Sequence, residues 1–282
     1  MQNLKIYVCC HKDYKDVGIT NPCYRLISDK DIKNESSLEL IKSDGLLDNR
    51  LWSELSHIYY VWKHPELQDD WIGFCHYRRY FDFKNDIPEI TKPVVATALV
   101  NPLNNFMSYF VNHNALDLMQ TLVVLKKLHP EYAEAMVRMC DSHRYYPYNM
   151  FILPKAMFNE MCELLFSVLI TYDKKLKVNN NYENMLMHIG DYRELYIEKP
   201  VKDDMPNDTY QYQARLYGFL SERLMSAYIM KFRHDNGMES VVENDVTITE
   251  ATYNRIIQSG EAKKRQQRIK IRAINSSNSE HL

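Results

Sequence analysis

The stretch Trp71-Ile72-Gly73-Phe74-Cys75-His76-Tyr77-Arg78-Arg79-Tyr80-Phe81-Asp82-Phe83 constrains this chain more than any other. An apolar run with one glycine reads as a short buried strand, and it opens at once into an imidazole and two guanidiniums set among aromatic rings. In open α/β sheets ligands bind beyond the carboxyl ends of strands. His76, Arg78 and Arg79 are therefore expected where an anionic ligand such as a diphosphate would sit, because the planar guanidinium fork donates paired hydrogen bonds to phosphate. The competing reading is a solvated arginine pair on a loop beside a structural histidine.

Composition narrows the classes. With 282 residues, 45% of them hydrophobic, the chain can bury a substantial core, and one catalytic domain with an appendage fits. The formal net charge of -2 excludes a global basic field of the kind that gathers nucleic acid. Six cysteines occur without a CxxC pair, which argues against a zinc ribbon and a secreted disulfide framework and for a reduced, cytoplasmic setting. The start of the chain carries no basic leader with a long apolar core, and no apolar run reaches the ~18 residues of a membrane span. Neither GxGxxG nor GxxxxGK[ST] is present, so ordinary dinucleotide and P-loop sites are excluded.

Along the chain, Lys5 to Cys10 reads as a first sheet strand that ends in His11 and Lys12, two further candidates for phosphate or base contact. Residues 13–48 are polar and irregular and are expected to form a long loop. From Asn49, Leu51, Leu55, Ile58, Tyr59 and Trp62 recur at helical spacing until Pro65, with Asp48 or Asn49 as cap. Pro93 to Val100 suggests another buried strand. The spacing predicts a helix from about Asn112 to Leu128, with His113 and Asp117 on one face as a catalytic or acceptor pair or as an ordinary surface pair. Tyr145, Tyr146 and Tyr148, able to stack on a sugar or base, lead into a short strand at 149–153. Met157, Phe158, Met161, Leu164, Leu165, Val168 and Leu169 then form an apolar helical stripe that belongs to the core.

Residues 173–210 show no clear period and suggest a loop or lid. A helix from about Arg215 to Phe232 carries Arg215, Gly218 and Glu222 on one face, and the glycine implies close approach by a neighbour. Glu222 is the first candidate for general base and Asp117 the second. Glu222 in a structural ion pair is the alternative. Between Lys263 and Arg272, six of ten residues are basic (Lys263, Lys264, Arg265, Arg268, Lys270 and Arg272), a segment suited to a polyanion or an anionic membrane, or else a solvated tail.

Five blocks taken together, Asn49-Arg50-Leu51-Trp52-Ser53-Glu54-Leu55, Tyr60-Val61-Trp62-Lys63, His76-Tyr77-Arg78-Arg79-Tyr80-Phe81, Asn149-Met150-Phe151-Ile152 and Gly218-Phe219-Leu220-Ser221-Glu222-Arg223-Leu224, carry a resemblance. In this order, from about Ile6 to Arg233, the chain is similar to the HYRRYF-signature glycosyltransferases encoded in bacterial capsule and exopolysaccharide clusters and in some phages. The resemblance implies an α/β fold with a GT-A-like, Rossmann-type central sheet flanked by helices. It further implies a nucleotide-diphosphate sugar as donor; it stops near Gly237, so a catalytic domain over residues 1–235 and a C-terminal helical extension over 236–282 with a basic helix or tail are expected. It would set Glu54 and Asn49 towards the nucleotide, Glu54 holding a ribose hydroxyl or steadying an arginine. It would set Asn149 on the sugar side; Tyr148, His113 and Arg215 are candidates for sugar or acceptor contact from their residue types and spacing.

GT-A enzymes often hold a divalent metal on a DxD motif. The corresponding place here is His76-Tyr77-Arg78-Arg79, and neither Asp69-Asp70 nor Asp203-Asp204 is a convincing substitute, so side-chain cations rather than a metal cofactor are expected to neutralise the leaving group. The acceptor implied by family context is a surface polysaccharide or lipid-linked glycan made at the cytoplasmic face of the inner membrane. Phage members leave duplex DNA with a hydroxymethylated base as an alternative, in host cytoplasm, and a non-catalytic nucleotide-sugar-binding module is a third.

Overall fold

The computed structural model describes residues 2–10, 20–28, 48–83, 85–190 and 212–248. Its centre is an eight-stranded mixed sheet. Strand β1 (Leu4–Cys10) pairs in parallel with β2 (Tyr24–Ser28) on one side and with β3 (Trp71–His76) on the other. Strand β4 (Arg79–Phe81) turns back from the end of β3 through the two-residue link Tyr77-Arg78, with His76 opposite Arg79. After β5 (Val94–Ala96) and the short β6 (Leu99–Val100) come three helices, α3 to α5 in the numbering below, then β7 (Arg144–Tyr145), which pairs with β6, and β8 (Phe151–Pro154). Strand β8 lies antiparallel between β3 and β5. β9 (Val242–Asn244) joins β5 in parallel, and β10 (Val246–Ile248) joins β4. Residues 242–248, expected to belong to the C-terminal extension, are thus part of the central sheet.

The helices are α1 (Asn49–Trp52), α2 (Leu55–Lys63), α3 (Asn105–Asn112), α4 (Ala115–Leu128), α5 (Ala133–Asp141), α6 (Lys155–Leu176), α7 (Tyr182–Gly190) and α8 (Leu216–Asn236). The period-two alternation of β1 and β3 divides the core. Tyr7, Cys9, Ile72 and Phe74 face the helices, while Ile6, Val8 and Cys75 face a second cluster with Tyr80, Phe81 and Ile90. Burial on both faces explains the near-continuous apolar run of β3. Gly73 is required there: a Cβ would lie 2.9 Å from Ile152 Cγ1 and 3.0 Å from Ile6 Cγ1. The predicted stripe of α6 is buried throughout, and Trp52 is wholly buried in the core, stacked 4.1 Å from Tyr217.

Several boundaries differ from the sequence reading for local reasons. The helix expected from Asn49 is broken at Ser53, whose φ of 53° and ψ of -136° end α1 and restart the chain in α2; Asp48 caps α1 by accepting from the Arg50 N–H. The helix expected from Asn112 is two helices, because Asn114 caps a new start at Ala115 and leaves His113 in extended backbone between them. Strand β2 lies within the expected loop, and α6 and α7 occupy residues 173–176 and 182–190 of the expected lid. Among the described residues no helix is long and apolar enough to cross a membrane.

Candidate active site

Antiparallel pairing sets the site. Because β8 runs against β3, the residues entering β8 meet the carboxyl end of β3, and the His76 Nε2–H donates to the Tyr148 carbonyl at 2.6 Å. Tyr148 and Asn149 both have positive φ, 72° and 48°. Consecutive left-handed non-glycine residues are costly, on the order of 1–3 kcal/mol each, and persist where surroundings impose them. Here the Tyr148 N–H donates to Glu222 Oε1 (2.8 Å), the Asn149 amide donates to Glu54 Oε1 (2.6 Å), and its carbonyl oxygen accepts from the Ser221 hydroxyl (3.1 Å). The strained corner is thereby clamped between α2 and α8.

The break at Ser53 aims Glu54 at this corner. Its Oε1 lies 3.9 Å from His76 Nε2. Ser53 is itself held by α8: the Arg215 Nε–H donates to its hydroxyl at 3.0 Å, and a Cβ on Gly218 would come within 2.8 Å of that oxygen. Gly218 therefore permits the close approach expected from the sequence, and the neighbour is the Ser53 side chain. On the next turn the Arg223 Nη1–H donates to Glu222 Oε2 (2.7 Å) and to the Phe219 carbonyl (3.1 Å). The ion pair of Glu222 is thus with the adjacent Arg223.

Two titrating groups are displaced in opposite directions. Burial holds His76 below the usual histidine value, opposed by the Glu54 carboxylate and the hydrogen bond to Tyr148 and reinforced by Arg79 and Arg215. The Tyr148 carbonyl can only accept, so Nε2 carries a proton, and the lowered value favours the neutral imidazole. Burial raises the Glu222 carboxyl, with Arg223 and the Tyr148 N–H pulling it back and Glu54 adding to the rise. A carboxylate shifted up is a stronger base for a hydroxyl proton. Beside them the Arg79 guanidinium lies 4.5 Å over the Tyr148 ring, and its buried Nε has no hydrogen-bond partner among the described residues. Buried polar groups are usually paired; Arg79 shares an unpaired Nε with Arg223 and Arg233 among the described residues, and stands out by lying over a ring of the strained corner.

Glu54, His76, Arg79, Tyr148, Asn149, Arg215 and Glu222 thus come together. Both ends of the Asn149 amide are taken by Glu54 and Ser221, so it positions the corner. Arg78 sits in the hairpin turn over the Tyr77 ring (4.7 Å), and Asn49 opens α1, its carbonyl receiving the Ser53 N–H. His113 and Asp117 lie apart from this cluster. His113 Nδ1 is 2.9 Å from Gln213 Oε1, and Asp117 Oδ1 accepts from the Tyr172 hydroxyl (2.7 Å) and the His188 Nε2–H (2.9 Å). His11, Lys12, Asp203-Asp204 and the basic residues Lys263 to Arg272 lie outside the described residues.

Sequence reasoning missed Ser53, Ser221 and Arg223 as parts of the site, although an adjacent Glu-Arg pair in an apolar helix was a signal for Arg223. Asp69, weighed above as a metal ligand, pairs with Lys5 (3.2 Å), and Asp82 beyond β4 accepts from the Thr247 hydroxyl (2.6 Å). Among the described residues no group of three or more His, Cys, Asp or Glu side chains is arranged to hold a metal ion.

Residues 5–195 match the family model described as a domain of unknown function, DUF4422, well over half of the chain. The chain belongs to this family. The match includes Glu54, His76, Arg79, Tyr148 and Asn149, while Arg215, just before α8, and Glu222 on α8 lie beyond it. No curated protein matches the chain. Among solved structures, the chain is similar to the apo structure of the bifunctional glycosyltransferase WbbM, with a TM-score of 0.60 and 21% identity over 88% of this chain. It spans 46% of the length of that protein. The DUF4422 chain thus has the α/β, GT-A-like fold expected from its sequence.

Proposed function

We propose that this DUF4422 protein is a glycosyltransferase that moves a sugar from a nucleotide-diphosphate donor to a hydroxyl of a surface-polysaccharide or lipid-linked glycan, at the cytoplasmic face of the membrane and without a metal cofactor. The observation that carries this reading is the meeting of Arg79, unsatisfied at Nε, with the raised carboxyl of Glu222 over the strained Tyr148-Asn149 corner. The fold shared with a solved glycosyltransferase supports it.

The chemistry follows from these groups. Arg79 and Arg215 face the diphosphate and stabilise the charge that grows on its oxygen as the bond to the anomeric carbon breaks. Glu222, ionised, takes the proton of the acceptor hydroxyl whose oxygen forms the new bond to that carbon. Glu54 and neutral His76 hold the Tyr148-Asn149 corner, and with it the backbone N–H that orients Glu222. Arg78, Asn49, His11 and Lys12 are assigned to the donor's outer contacts.

The test is mass spectrometry of the full chain with a panel of nucleotide sugars and saccharide acceptors. Transfer is expected as a gain of one sugar on the acceptor, with release of the nucleoside diphosphate in the presence of chelator. Absence of both transfer and nucleoside-diphosphate binding across the panel would overturn the proposal.

A further inference from the structure

The outer face of α3 and α4 is unusual for a surface exposed to water. Between Asn101 and Leu125 the only side chains that carry or can take a charge near neutral pH are His113 and Asp117, and both are buried. What the two helices present outwards is Met107, Phe110, Val111, Leu116, Met119 and Val123, with Phe110 51% and Val123 58% exposed. Single exposed apolar residues are ordinary, but an uncharged run of them on two consecutive helices marks a surface that meets something.

The charges around this face indicate what it meets. Lys126 and Lys127 are exposed in the last turn of α4, and Lys174, Lys175 and Lys177 are exposed at the end of α6. The Lys175 ammonium donates to Gln120, between Met119 and Val123, so the basic group adjoins the apolar stripe. An apolar helical face bordered by lysines fits the boundary between acyl chains and anionic headgroups. A second copy packed on this face is the alternative that the test below separates from a bilayer.

The face also backs onto the candidate active site. At the end of α3, His113 stacks 4.1 Å from Phe219 on α8, one turn before Glu222, and Arg223 lies 5.1 Å over Tyr109 of α3.

We propose that the α3–α4 face is a monotopic docking surface for an anionic lipid bilayer, which sets the candidate active site at the membrane boundary and selects a lipid-linked acceptor. The acceptor part rests on the glycosyltransferase reading; the docking itself does not.

The test is flotation of the full chain with vesicles of pure phosphatidylcholine and with vesicles of equimolar phosphatidylcholine and phosphatidylglycerol, without nucleotide sugar. The parent is expected to float with the anionic vesicles, and a Phe110→Asp/Met119→Asp variant to lose at least tenfold in apparent affinity while keeping its circular dichroism. A Lys126→Glu/Lys127→Glu variant is expected to lose binding to the anionic vesicles as well. A parent that ignores anionic vesicles, or a Phe110→Asp/Met119→Asp variant that binds like the parent, would overturn the docking surface. So would light scattering that shows a parent dimer and a monomeric variant, because the face would then be covered by a second copy. Vesicle binding without any sugar transfer would remove the glycosyltransferase reading and leave the docking surface standing. Transfer to a soluble saccharide by a protein that does not bind vesicles would do the reverse.

Discussion

Glu222 and Asp117 are both carboxylates on packed helices, Asp117 buried and Glu222 half-buried, and they differ in the partners that hold them. Asp117 is closed by the protein's own donors, the Tyr172 hydroxyl and His188 Nε2, which tie α4 to α6 and α7. Glu222 is held by Arg223 and by a backbone N–H from a strained corner, in the neighbourhood of an arginine whose Nε is unsatisfied. The Glu222 arrangement costs backbone strain at Tyr148-Asn149 to maintain. Burial alone therefore does not distinguish a structural carboxylate from a reactive one; the partners that hold it and the strain of the backbone beside it do.

The widest separation between the two regions is expected in turnover. Glu222→Gln keeps the acceptor oxygen for the Tyr148 N–H but loses the base, and kcat for sugar transfer should fall by about 10²–10⁴ with donor affinity retained. Asp117→Asn should leave kcat nearly unchanged and lower the melting temperature instead, because hydrogen bonds to a charged acceptor contribute about 1.5–3 kcal/mol. Steady-state kinetics and thermal unfolding on both variants check the pair; equal losses of kcat would erase the distinction.

Gly218→Ala sharpens the comparison at lower amplitude. The added methyl would press on Ser53, the residue that aims Glu54, and overpacking of this kind costs about 1–3 kcal/mol. Stability and kcat are expected to fall together here, unlike at Asp117. A variant with normal stability and normal turnover would show that the Ser53 contact does not position the site.

Much of this contrast was legible in the residues, and the illegible part has physical reasons. The apolar run of β3 and the stripe of α6 were readable because both are buried over many residues, and hydrophobic period reports burial. The face shared by Arg215, Gly218 and Glu222 followed from helical spacing. The break at Ser53 and the left-handed Tyr148-Asn149 corner were not readable, because such backbone is imposed by contacts from α2 and α8 and carries no glycine as a local sign. Strand β2 was hidden because, among the described residues, it pairs with β1 alone and exposes Arg25 and Leu26. His113 was misplaced into a helix because Asn114, a cap, lies inside an otherwise regular pattern.

A smaller effect concerns pH. His76 is held below its ordinary value, so the stability it contributes is fully present above about 6.5 and is lost as pH falls through the lowered value in the folded protein. Glu222 has the opposite sign: its carboxyl is raised, so its contribution is present below the ordinary carboxylate range and is lost as pH rises through the raised value. Thermal unfolding against pH should show His76→Gln flattening the acid side and Glu222→Gln the other. An acid limb unchanged in His76→Gln would place the neutral imidazole elsewhere.

The central claim is that Arg79, rather than its neighbour Arg78, awaits an anionic donor group. Isothermal calorimetry of a nucleoside diphosphate, titrated with chelator into the parent, Arg79→Ala and Arg78→Ala, tests it most directly. The account predicts binding by the parent without metal, a loss of tenfold or more in Arg79→Ala, which is about 1.4 kcal/mol, and a clearly smaller loss in Arg78→Ala. Parent-like binding by Arg79→Ala, or binding by the parent only after Mn²⁺ is added, would contradict it.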